Sequence, residues 1–509
     1  MQTPPCARPR DKAELRAILG SSLLMFDATS LAAWQIAEHI RKRELSPVEV
    51  IEAHLSRIRD LNPKLNAFVG VDSEGALRQA REAEAVVARG VSLGPLHGVP
   101  VSIKSSIDVA GMRCEAGTEL RAGNIPASDA PLVERLRRAG AIVVGVTNTP
   151  ELLMAWETDN LLYGRTQNPW DLSRTAGGSS GGEAAAIAAR CSAGGVGSDG
   201  GGSIRVPAHF CGICGLKPTP GRIPATGHYP SSVGPFALMG VVGPLARCAK
   251  DVSLMFEVMQ GPDTGDTCAA PVPVRWARDC EFEKLRVGYF EDGGPIPVTE
   301  ETRHAVERAA DCLRQAGVQV ERFRPEGLEK ARQLWWNWFG LSGGILLRRL
   351  IRGKEDRLSP ILKEFLGWVG AEAPPTAETL LDTWIERDLL RSEIFRQMEE
   401  FPALVCPVAA IPAFRHGERM WHIDGKAVGY LDAWSFCEWF NLLGTPAAVL
   451  PMTRSSEGLP IGVQIVTRPW EDELALSLAA VIERHRGNFE MPATDWLVAS
   501  SQQPQTAAE

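Results

Sequence analysis

Most of the residues that could do chemistry lie between Thr175 and Pro218. Two serine-bearing glycine clusters stand there: Gly177-Gly178-Ser179-Ser180-Gly181-Gly182 and Gly200-Gly201-Gly202-Ser203. Glycine permits positive φ and close backbone approach, at a cost in chain entropy. Such clusters make a poor core. They are suited to presenting backbone N–H groups to an anion or a developing oxyanion. Alanine is the best helix former, so Glu183 to Arg190 reads as a short buried helix between the clusters.

The stretch resembles the amidase signature family. The family's GGSSGG block is met at Gly177–Gly182. Its G-S-D-x-G-G-S-I-R block falls at Gly197–Arg205, and its G-L-K-P-T block at Gly215–Thr219. The family also needs a lysine closing a G-V-P-x-x-x-K run, which Gly98 to Lys104 supplies. The likeness continues through Asn168-Pro169-Trp170-Asp171 and Gly458 to Gln464, and covers the chain from about Phe26 onward.

The resemblance implies hydrolysis of carboxamide C–N bonds, with no metal or cofactor. Carried over by motif, Ser203 is the nucleophile, Ser179 the bridging serine and Lys104 the base. Each role has a physical reason. A serine hydroxyl attacks poorly until a base takes its proton. A lysine serves as that base only when neutral, and burial lowers its free pKa of about 10.4. The resemblance also implies a cis Gly178–Ser179 peptide, and an oxyanion hole made by the N–H groups of Gly200, Gly201, Gly202 and Ser203. Asp199 and Arg205 flank that turn and are expected to pair.

Gly200 departs from the family pattern, where threonine or isoleucine is usual, so a more mobile loop or a more open pocket is expected. Ser105 stands where aspartate often follows the lysine. The run Asn148 to Trp156, and Phe210 to Pro218, are closer to free-standing amidases and fatty-acid-amide-hydrolase-like members. Within the first run, Leu153 and Met154 are substrate-binding candidates. The expected substrates are apolar or aryl and acyl amides, with esters and carbamates within reach of the same acyl-serine chemistry. The alternative is a glutamine-dependent amidotransferase subunit supplying ammonia to a tRNA-linked partner.

Rival patterns are weaker. Gly177 to Gly181 also fits the G-x-S-x-G elbow, but that fold needs a strand before the serine, and Asp171 to Arg174 reads as a loop. Gly195 to Gly200 fits a dinucleotide fingerprint, but an alanine-rich helix precedes it instead of a strand. Cys211 and Cys214 have no second pair nearby and read as buried thiols. His209 and His228 suit a triad at first sight; with a lysine available, packing is the expected role. Trp335, Trp336, Trp338 and Phe339 read as core or as the wall of an apolar pocket. Met154, Trp156, Trp434, Phe436 and Trp439 add to the picture of that pocket.

Elements must position these residues. Val99 to Lys104 reads as a strand ending on the lysine, and Ala141 to Thr147 as a buried strand. Ser46-Pro47-Val48-Glu49 is a capping box with proline at the first helical position. It opens a helix with an apolar stripe at Val48, Ile51, Leu55 and Ile58, expected to end at Asn62-Pro63. Further helices are expected over Ala76 to Arg89, Asp129 to Ala139 and Glu300 to Ala316. Strands follow at Leu285 to Phe290 and Val318 to Val320, and Pro262 to Glu283 reads as a turn-rich surface loop. This alternation indicates α/β architecture. The resemblance narrows it to one large domain with a twisted mixed sheet covered by helices. The expected layout is an N-terminal extension over 1–25, the domain over 26–499 and a flexible tail over 500–509. Within the domain, a catalytic core occupies about 95–250 and a pocket-forming half about 285–490.

Composition sets outer bounds. The net charge of −8, with no basic block, argues against nucleic acid as a partner. No apolar run reaches spanning length, and peripheral membrane contact stays open but disfavoured. Charges interrupt the N-terminal apolar residues, which makes a poor secretory signal. An odd count of 11 cysteines suggests reduced thiols and a cytoplasmic setting. A monomer or homodimer acting on a small amide is the expected state.

Overall fold

The computed structural model describes residues 27–494, apart from 92 and 278–281. The expected extension over 1–25 and the tail over 500–509 lie outside the described residues. Fifteen strands are found among the described residues. They are β1 (Phe68–Val71), β2 (Pro100–Lys104), β3 (Ile142–Thr147), β4 (Gln167–Asn168), β5 (Asp171–Thr175), β6 (Gly194–Asp199), β7 (Cys214–Lys217) and β8 (Val241–Ala246). The series continues with β9 (Arg286–Tyr289), β10 (Gln319–Arg322), β11 (Ala403–Pro407), β12 (Met420–Ile423), β13 (Lys426–Gly429), β14 (Ala447–Arg454) and β15 (Pro460–Thr467). Eleven form one mixed sheet in the order β1-β3-β2-β6-β8-β7-β14-β15-β11-β9-β10. β2 runs parallel to both β3 and β6, and β9 parallel to β10 and β11. The middle pairings, from β6–β8 to β14–β15, are antiparallel.

Helices cover both faces, and each face has its own core. Ala33–Arg41, Pro131–Arg138, Ala249–Met259, Glu300–Gln315 and Asp472–Arg486 pack on one. Gly181–Ala188, Arg205–Cys211 and the helices between Lys330 and Leu442 pack on the other. Strand alternation sorts side chains between the two. On β2, Val101 and Ile103 enter the first core. Ser102 and Lys104 point the opposite way, toward Glu183 on Gly181–Ala188.

Two local expectations are corrected. The helix opened by the Ser46 capping box runs past Pro63 to Leu65. Pro63 removes one N–H and crowds the Arg59 carbonyl, yet the helix continues for its last two residues. The end comes at Asn66, left-handed at φ 50°, whose N–H donates to the Asn62 carbonyl. Asn62 Oδ1 then accepts from the N–H groups of Ala67 and Phe68. Asp171 to Arg174 is not a loop either. It belongs to β5, paired with β4 in a two-stranded sheet apart from the main one.

Candidate active site

Parallel β2 and β6 finish at the same edge of the sheet, one on Lys104 and the other on Asp199. The carboxyl ends of parallel strands are where open α/β sheets leave a crevice. The first glycine cluster leads into Gly181–Ala188, and the second leaves β6 for Arg205–Cys211. The Ser180 N–H donates to the Ser203 carbonyl at 3.1 Å and ties the clusters together. The Gly178–Ser179 peptide is cis.

Lys104 is fully buried. Its Nζ donates to Ser179 Oγ at 2.7 Å, Ser198 Oγ at 3.0 Å and Ser180 Oγ at 3.1 Å. Three hydroxyls match the three protons of an ammonium. A neutral amine has two protons and a lone pair, so one contact must then reverse. Ser179, the nearest, is the hydroxyl best placed to donate. Burial pushes the lysine pKa down to about 7, against the opposing pull of the Asp199 and Glu183 carboxylates. Glu183 is itself raised to about 7 by burial, although Ser102 and Thr147 donate to it.

The second cluster is shaped by one ion pair. Burial disfavours charge on Asp199, yet the Arg205 guanidinium holds its carboxyl well below the usual range. Arg205 Nη2 lies 3.0 Å from Asp199 Oδ1, and its Nε 3.1 Å from Oδ2. Asp199 also accepts the N–H of Gly202 at 2.8 Å and of Ile204 at 3.0 Å. Gly202 sits at φ 115°, which a side chain would strain. Its N–H is therefore already engaged. The N–H groups of Gly200, Gly201 and Ser203 have no protein acceptor among the described residues. From behind, two indoles hold the loop's carbonyls. Trp335 Nε1 donates to Gly200 O at 2.9 Å and Trp156 Nε1 to Gly201 O at 2.8 Å.

Ser179, Ser198, Gly200 and Ser203 open onto one cavity of about 120 Å³, with Leu153 and Met154 at its wall. The rest of that wall comes from residues 225–242 and 339–350 and is almost wholly apolar. A much smaller chamber, with room for about one water molecule, shares Leu153, Met154, Ser203 and Phe339, and adds Trp156, Gly201 and Phe365.

The sequence-derived candidates divide. Trp434 and Phe436 are buried in the core, where Trp434 stacks on Trp156 at 6.0 Å, and Trp439 lines a separate recess. His209 is structural: its Nδ1 accepts the Gly462 N–H at 2.7 Å and its Nε2 faces Ile411 O at 3.0 Å. His228 instead lines the large cavity. Its Nδ1 donates to Pro230 O at 2.9 Å, which leaves Nε2 as an acceptor, and burial followed by the Lys104 charge lowers its pKa to about 4. Cys211 and Cys214 are buried thiols. Ser198 escaped the sequence reading as a lysine partner, although it stands inside the G-S-D motif. The wall over 225–240 carried no periodic signal, because it is loop and one short 3₁₀ turn, with a cis Tyr229–Pro230, before β8 supplies Val241 and Val242.

The elbow reading fails on geometry. Its required strand does precede Ser179, but outside the main sheet, and the base beside that serine is a lysine.

The Amidase family model matches residues 49–476. The chain is 36% identical over 470 residues to an indoleacetamide hydrolase of Bradyrhizobium diazoefficiens, covering 90% of this chain and 86% of that one. It is 31% identical to one component of the glutamyl-tRNA(Gln) amidotransferase of Bdellovibrio bacteriovorus, covering 90% and 97%. A solved 6-aminohexanoate cyclic dimer hydrolase complexed with substrate superposes with a TM-score of 0.78 at 28% identity, covering 94% of this chain and 99% of that one. A family match over most of the chain, on a mixed sheet that brings the motif residues to one edge, means that the chain belongs to the amidase signature family.

Proposed function

We propose that the protein hydrolyses apolar acyl or aryl amides through an acyl-Ser203 intermediate. The observation that carries this reading is the buried Lys104 Nζ, 2.7 Å from Ser179 Oγ, with Ser179 and Ser203 on the same cavity wall. Neutral Lys104 takes the Ser179 proton as Ser179 takes that of Ser203. The freed Ser203 Oγ adds to the carbonyl carbon. The N–H groups of Gly200, Gly201 and Ser203 stabilise the charge that develops on the carbonyl oxygen. Lys104 then returns its proton through Ser179 to the leaving nitrogen, the C–N bond breaks and the amine departs. Water repeats the route to release the acid, and Lys104 and the two serines regain their starting protonation.

The lining supports an apolar substrate over glutamine. Among the described lining residues the ionisable ones are Asp199, paired with Arg205, and His228, held neutral. Neither offers a partner for glutamine's ammonium and carboxylate. Esters and carbamates of the same shape are open to the same acylation. Intact-mass spectrometry with a fluorophosphonate tests the reading. Wild type gains one adduct, Ser203→Ala gains none and Ser179→Ala labels more slowly. An adduct that persists on Ser203→Ala and vanishes on Ser179→Ala would overturn the assignment.

A further inference from the structure

Ser203 lies where two chambers of unequal size meet, and Phe339 is a wall of both. The ring is held from several sides. Trp335 stacks on it at 4.7 Å and 13°, and Phe236 meets it edge-on at 5.9 Å. It projects from a π-helical turn, Trp336–Ser342, which follows the helix carrying Trp335. One extra residue in such a turn re-aims side chains relative to an α-helix. Here that segment lies directly on the glycine loop. A Cβ at Gly200 would stand 2.9 Å from Phe339 Cε2, and one at Gly201 2.6 Å from Trp335 Cζ2. Gly200 has no positive φ, so the backbone tolerates alanine there and the ring alone opposes it. The space left by the missing side chain is filled by Phe339, so the more open pocket expected from Gly200 is not formed there. Gly200 and Phe339 are thus complementary: the glycine is small because the ring occupies its place.

A carbonyl carbon bound at Ser203 has its acyl chain on one side and its amine on the other. Two chambers meeting at that serine receive the two substituents. From this, and resting on the amide-hydrolase reading above, we infer that Phe339 is a specificity-determining residue: it confines one substituent to the small aromatic chamber. The substrates so selected carry one bulky apolar group and one small group. An amide bulky on both sides is excluded by the ring.

Three amides test this. Decanamide is bulky on the acyl side, 4-hexylacetanilide on the amine side and N-phenyldecanamide on both. Wild type should turn over one of the first two well and the third poorly. Phe339→Ala should raise kcat/KM for N-phenyldecanamide, relative to the better of the other two, by about tenfold or more, the scale on which pocket size discriminates. Phe339→Leu, which keeps more of the packing, should move the ratio the same way by less. Gly200→Ala should reduce kcat/KM more in the Phe339 protein than in Phe339→Ala, because only the former holds the ring that the methyl group meets. An unchanged ratio in folded Phe339→Ala and Phe339→Leu, or equal effects of Gly200→Ala in both backgrounds, would overturn the inference and leave the hydrolase reading standing. Turnover of none of the three amides by wild type, with no fluorophosphonate adduct, would remove both.

Discussion

The lysine–serine side of the candidate site and its apolar wall are built differently. Lys104, Ser179, Ser198 and Ser203 stand on two neighbouring parallel strands and the two turns beside them. Their positions follow from short stretches of chain, held by the buried Asp199–Arg205 pair. The wall comes from a remote loop, the start of β8, a π-helical turn and the helix Gly343–Ile351 that continues it, and reaches the glycine loop through Trp335 and Phe339. The lysine and serines come together from a few neighbouring segments, and the wall is assembled from segments far apart in the chain.

The sharpest break of that contrast is Lys104→Ala. It removes the proposed base while leaving the wall in place, and kcat for an amide should fall on the order of 10⁴-fold or more, as for members of acyl-transfer triads. Steady-state kinetics checks it, and a loss confined to KM would contradict the assignment.

Trp335→Phe tests whether the wall also serves the chemistry. The ring stack on Phe339 survives in part, while Gly200 O loses its indole donor. A buried acceptor left unpaired costs about 1–3 kcal/mol. If the indole positions the loop, part of that cost appears as a lower kcat with KM little changed. A loss seen only in urea denaturation would make the indole purely structural.

The smallest effect is expected from Glu183→Gln. The proposed route needs neutral Lys104, whose pKa is lowered to about 7, so the rate should fall as pH drops through about 7. The Glu183 carboxylate raises the lysine pKa. Its removal should therefore shift the acid limb of the kcat profile to lower pH. A shift upward, or none, would mean that the limb reports another group.

Much of the lysine–serine side was legible in the residues. The lysine at the end of Val99 to Lys104, the two glycine-serine clusters, the alanine helix between them and the Asp199–Arg205 pair are each encoded within a few positions. Local propensity and motif spacing suffice there. Some local readings still failed. Asp171 to Arg174 gave no strand pattern because β5 pairs only with two-residue β4, outside the main sheet. The helix end at Asn62-Pro63 moved because Asn66, not the proline, supplied the left-handed residue.

By itself the sequence determined the α/β class and singled out the lysine and serines of the candidate site and the glycines around them, because strands, turns and caps are chosen by near neighbours. Only the tertiary structure decided that Ser198 joins Ser179 and Ser180 on the lysine, that Gly202 gives its N–H to Asp199, and that Phe339 fills the space above Gly200. Those contacts join residues on separate elements, or turn on the detailed fold of a loop. Packing among distant segments settles them, and no local pattern in the chain records it.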